Sequence, residues 1–158
     1  MQTSSLNQIK KELEHLSDTD LQKLCLSLAR YKKENKELLN YLLFEAHDEI
    51  AFIEKVKAEM ISNWQAVNVS NWHLAKKSIR KIVNQTKKHI RFSGKKETEI
   101  ELLLFFCQQM QQWEMNFAAN KVLVNMYNSQ LKSIQKSLGT LHEDLQYDYQ
   151  VRVDELTF

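Results

Sequence analysis

The chain contains no proline and two glycines in 158 residues. Tight hairpin turns draw on Gly, Asn-Gly and Pro for backbone angles that other residues resist. A β-protein with many turns therefore fits this sequence badly. A dinucleotide fingerprint needs three glycines and a P-loop two at fixed spacing, because bare backbone must approach phosphate there. Gly94 and Gly139 lie too far apart to form either. What remains is helices joined by short loops. The length suits one domain, which would bury roughly two-thirds of its unfolded surface and so needs no staples.

Helix starts are legible from their caps. Ser5 precedes a first face of Leu6, Ile9, Leu13 and Leu16. Ser17 precedes a second, with Asp18 and Asp20 favourably placed at the helix N-terminal dipole. Leu21, Leu24, Leu28 and Tyr31 then follow at helical spacing. A polar turn near Asn35 leads to Leu38, Leu39, Leu42 and Leu43, giving a helical hairpin. Asp48 and Glu49 open a fourth helix, and Ser70 is the expected cap of a fifth that ends at Gly94. A sixth helix begins near Glu97. Its first half is apolar on nearly every side, so it is expected at the centre of the core. A turn is placed at residues 117–120 and a stop at Gly139, after which Thr140 and Glu143 match a capping box.

Residues 145–154 fit two templates. Leu145, Tyr147, Tyr149, Val151 and Val153 alternate with polar residues as in a strand. Leu141, Leu145, Tyr149, Val153 and Leu156 form an equally good helix face. A lone strand would leave its backbone groups unpaired unless a second molecule supplied the partner, which favours the helix. The expectation is a single all-α domain over residues 1–158, of seven to eight helices, as an antiparallel bundle or short α-α superhelix. Residues 140–158 are its acidic C-terminal extension.

The net charge of +2 conceals a strong asymmetry. Residues 1–70 carry 9 Lys/Arg and 11 Asp/Glu, residues 71–96 carry 9 and none, and residues 97–158 carry 4 and 9. Advancing 100° per residue along the fifth helix, Trp72, Ala75, Ile79, Ile82, Val83, Thr86 and Ile90 fall within an arc of roughly 100°. His73, Lys76, Lys77, Arg80, Lys81, Asn84, Lys87, Lys88 and Arg91 fall on a second arc of roughly 140°, next to the first. At about 1.5 Å per residue the cationic stripe from Lys77 to Arg91 is roughly 21 Å long. It is the candidate binding face. Its expected counterpart is an acidic protein partner or the chain's own acidic C-terminal segment. Nucleic acid is the rival, weakened by the lack of aromatic residues in the stripe on which bases could stack. A membrane surface is not expected, since the apolar arc reads as core.

No catalytic residues, cofactor or metal site are expected. Glu12 and His15 make one E-x-x-H pair, but a di-metal bundle site needs two such pairs and two further glutamates. His15, His47, His73, His89 and His142 are scattered, and no nucleophile elbow is present. Trp64 and Trp72 are read as core. Cys25 and Cys107 sit in apolar runs and are expected as buried, reduced thiols. The N-terminal run lacks the apolar stretch of a signal peptide, so the expected compartment is the cytoplasm.

The stretch LSDTDLQKLCLSLARYKKENKELLNYLL, Leu16 to Leu43, resembles the opening helical hairpin of a family of uncharacterised bacterial proteins classed as a domain of unknown function. The shared features are the L-S-x-x-x-L start, the N-K-E turn and the L-x-x-Y-L-L that follows. The resemblance extends over residues 8–140 and implies an all-α fold, without an activity, ligand or catalytic residue. The resulting expectation is a non-enzymatic interaction or scaffold module, with a homodimer as one of its assembly states.

Overall fold

A computed structural model describes residues 3–156 of the chain. The fold is all-α, with no strand among the described residues. Its helices are α1 (Leu6–Leu13), α2 (Asp18–Tyr31), α3 (Lys33–Asn40), α4 (Glu49–Gln65), α5 (Trp72–Ser93), α6 (Lys96–Gln111), α7 (Lys121–Leu138) and α8 (Glu143–Asp154). A π-helical turn spans Tyr41–Glu45, and a short 3-10 turn spans Phe117–Ala119. The residues cluster into two compact units, the first ending at Phe44 and the second beginning at Glu45.

The first unit is a helix followed by a hairpin. Ser5 and Gln8 cap α1 reciprocally, and the Ser17 hydroxyl accepts from the Asp20 amide at the start of α2. The chain turns at Lys32, which is extended, rather than near Asn35. Asn35 lies inside α3, where its amide donates to the Leu28 carbonyl (2.9 Å) and ties the two helices together. α2 and α3 pack on each other, yet no residue of α1, α2 or α3 is buried.

The second unit holds a conventional core, and α6 is its axis. Ile100, Leu102, Leu103, Leu104, Phe106 and Cys107 are all essentially inaccessible. The reason is the one visible in the sequence: a helix apolar all round needs neighbours all round, and α4, α5 and α7 supply them. Trp64 of α4 packs its ring against Phe106 at 5.7 Å. Leu123, Tyr127 and Ile134 of α7 close the other side. The Tyr127 hydroxyl donates to the Leu156 carbonyl (2.6 Å), and Gln111 donates to the same oxygen (3.2 Å).

The C-terminal segment resolves in favour of the helix. Val153 and Leu156 are buried and Leu141 and Tyr149 half-buried, whereas Tyr147 and Val151 are exposed. Of the helix face only Leu145 is exposed (37%), whereas a strand would put exposed Tyr147 and Val151 on the same side as buried Val153. α8 packs on α7 of the same unit. Two expected helix ends are corrected. Asn71, not Ser70, caps α5, its side chain accepting from the amides of His73 and Leu74. The Thr140–Glu143 box does not form: Thr140 donates to the Ser137 carbonyl, and the His142 ring caps α8 instead. Gly139 does end α7, but in right-handed geometry (φ −61°), so nothing there demands glycine. Gly94 does need it, with φ of 68° and its amide closing on the Ile90 carbonyl at 2.8 Å.

Candidate binding face

The sequence of α5 fixes which of its sides meets the core. Ala75, Ile79, Ile82, Val83 and Thr86 are buried, and the Thr86 hydroxyl donates to the Ile82 carbonyl (3.0 Å), so even the one polar member of the face is satisfied. The helix is thereby held in one rotation. The opposite residues are turned outward: His73, Lys77, Arg80, Lys81, Asn84 and Arg91 are exposed, with Lys76, Lys87 and Lys88 half-buried along the margin. All nine residues of the expected stripe thus share one side of one helix.

Among the described residues, Lys76, Lys77, Arg80, Lys81 and Lys87 make no ion pair. Several polar groups of the C-terminal acidic helix are engaged elsewhere. Arg152 of α8 grips Glu101 of α6 with two bonds (2.5 and 3.2 Å), Gln150 donates to Asp154, and His142 lies beside Asp144. Among the described residues these five cations of α5 are therefore concentrated without a carboxylate in ion-pair distance. Like charges held on a rigid helix give a local positive potential that draws anionic partners.

Two polar clusters of the second unit escaped sequence reasoning. Glu101 receives Arg152 and also Lys57 (3.2 Å), while Tyr149 and Phe105 offer their rings to these two cations. Burial alone would push the Glu101 carboxyl up, but the paired Arg152 and Lys57 outweigh it and hold it below its ordinary value. Burial pushes the Tyr149 phenol up to about 12, with the Glu101 charge adding to the effect. The second cluster centres on Glu49, which accepts from the hydroxyls of Ser93 (2.5 Å) and Thr98 (2.6 Å) and pairs with Lys95 (2.9 Å). Both clusters join residues more than 40 positions apart. The local signal was a lone glutamate inside the apolar run of α6. These clusters tie helices together at the margin of the core.

No three His, Cys, Asp or Glu side chains among the described residues gather as metal ligands. Glu12 and His15 are both exposed on and just after α1. Glu45 is engaged by Lys55 (2.7 Å), and Asp48 caps α4 through the Ala51 amide. Trp64 and Trp72 converge with Trp113 (6.0 and 6.2 Å between rings) as part of the core and its edge.

The cysteines differ from expectation. Cys107 is buried, and burial pushes its thiol up to about 12. Cys25 is exposed, because the helix that carries it buries nothing. In dilute native protein, maleimide should label Cys25 and leave Cys107 untouched until the chain unfolds. Mass spectrometry of digests reads both sites.

No helix among the described residues is long and apolar enough to cross a membrane. Comparison with protein-family models, curated proteins and solved structures finds no match to this chain.

Proposed function

We propose that this chain is a non-enzymatic interaction module whose contact surface is the cationic face of α5, and that the partner is an acidic protein surface. The observation that carries the reading is the set of five stripe cations without an ion pair among the described residues, on a helix whose rotation is fixed by its buried side. Cations that served only to solubilise the fold would commonly be interspersed with carboxylates, as on α4, where Glu54 and Glu59 share the surface with Lys55 and Lys57. Residues 71–96 contain no acid at all. The stripe also lacks exposed aromatic side chains, which favours a protein partner over single-stranded nucleic acid. Nucleic acid duplex is the second reading, since phosphate spacing of about 1.7 Å along the axis would present several charges to a 21 Å stripe.

Titration of the full chain with a polyglutamate peptide, and separately with random-sequence duplex, distinguishes them. The expected result is binding to the acidic peptide at low salt, weakening as screening increases. Binding confined to duplex transfers the stripe to nucleic acid. Failure to bind either at low salt overturns the reading of the stripe as a contact surface.

A further inference from the structure

The first unit holds a groove of about 680 Å³ between α2 and α3. Small-molecule sites span about 300–1,000 Å³, so the groove has the size of one. Its floor is Leu26, Leu39, Leu43 and Phe44. Leu26, Leu43 and Phe44 are 51%, 62% and 65% exposed, so this apolar floor is open to solvent. Arg30, Lys33 and Lys36 line the same groove, and no carboxylate does.

The two kinds of lining are separated along the hairpin. Arg30, Lys33 and Lys36 flank the turn at Lys32, Arg30 in the last turn of α2 and the two lysines at the start of α3. Leu39, Leu43 and Phe44 follow farther from the turn, and Leu26 stands beside them on α2. From Lys36 to Phe44 the distance along the helix is roughly 12 Å. One end of the groove is thus cationic and the other apolar. Lys33 also reaches Glu37 at 3.8 Å, and Lys32 pairs with Glu34 at 3.6 Å, but neither glutamate lines the groove. Exposed pairs of this length hold their partners weakly. Arg30 and Lys36 make no ion pair among the described residues.

The apolar end carries a second peculiarity. Leu43 and Phe44 belong to the π-helical turn Tyr41–Glu45. Such turns are rare within helices and are frequent at functional sites. A simple anion would meet the cations and leave the floor in water. A purely apolar ligand would cover the floor and desolvate the cationic end without compensation. An anion on one flexible apolar chain matches both ends, and the planar fork of an arginine suits a carboxylate in particular.

We propose that the α2–α3 groove binds a fatty acid, its carboxylate at Arg30, Lys33 and Lys36 and its chain along Leu39, Leu43 and Phe44. The proposal is independent of the reading of α5.

Calorimetric titration of the full chain with dodecanoate, below the concentration at which it forms micelles, tests it. Saturable binding of one molecule per chain is expected. Dodecyltrimethylammonium, which has the same chain and the opposite charge, should bind at least about tenfold more weakly, and so should hexanoate. The variant R30E/K36E should weaken dodecanoate binding at least about tenfold, as should Phe44→Asp. Tryptophan emission, which reports the second unit, should stay unchanged in both. The variant K77E/R80E/K81E on α5 should bind dodecanoate as the wild type does, which keeps the two surfaces distinguishable. No saturable binding, equal binding of the cationic amphiphile, indifference to R30E/K36E or to Phe44→Asp, loss in the α5 variant, or binding only to phosphatidylglycerol vesicles would each overturn the proposal.

Discussion

Replacement of Phe106 by alanine should lower the stability of the second unit by about 3–5 kcal/mol, the range for removing a fully buried aromatic side chain. Phe106 is 0% exposed and lies on α6, the helix that touches α4, α5 and α7. Its loss removes both the apolar transfer term and the contact with the Trp64 ring, and the packed walls can collapse only partly into the space. Against a total of about 5–15 kcal/mol for a domain, the change is large enough to leave a substantial unfolded fraction in mild denaturant. All three tryptophans lie in this unit, so denaturant unfolding followed by tryptophan emission reads it directly. A midpoint within error of the wild type would mean that α6 is not the axis of the core.

The next largest effect is expected at Glu101. Removing its carboxylate takes away the partner that Arg152 grips and leaves Lys57, only 19% exposed, with the carboxylate of Glu54 at 3.0 Å. Breaking a partly buried pair in this way costs about 2–3 kcal/mol, less than at a fully buried site because Arg152 retains contact with solvent. Glu101→Ala should therefore destabilise the unit at neutral pH, and Glu101→Gln somewhat less. The carboxyl is held below its ordinary value of 4.5 in the folded chain, so its stabilisation is present above that value and is lost as pH falls through the lower, folded value. The gap in unfolding midpoint between wild type and Glu101→Gln should be widest at neutral pH and close as the solution is acidified below about 4.5. A gap that persists undiminished in acid would assign the effect to packing rather than to charge.

How much of this was legible in the sequence depended on how local the deciding interaction is. The caps at Ser5 and Ser17, the start of α4 at Asp48 and Glu49, the αL end at Gly94 and the two-faced pattern of α5 are set within a few residues, and the structure has them. The central place of α6 was legible because hydrophobicity on every side of a helix admits one environment. Ser70 and Asn71, and likewise Thr140 and His142, are each able to open the helix that follows, and the sequence does not rank them. The exposure of Cys25 was not legible. A face of Leu21, Leu24 and Leu28 reads as buried whether its cover comes from the same fold or from another molecule. The ion clusters at Glu49 and Glu101 depend on helix packing across more than 40 residues, which no window along the chain contains. For the stripe itself, periodicity gave the face, and geometry added that five of its cations are left without an ion pair among the described residues.

The claim that α5 is a contact surface is tested most directly by reversing its outermost charges. Lys77, Arg80 and Lys81 are exposed on one turn and a half of helix, and changing them to glutamate should leave the unfolding midpoint nearly unchanged. Wild type and the triple variant should be titrated side by side with the acidic polypeptide at low salt. The account predicts saturable binding by the wild type and at least about a hundredfold loss in the variant, corresponding to about 2.7 kcal/mol. Equal binding by a variant that remains folded would contradict it.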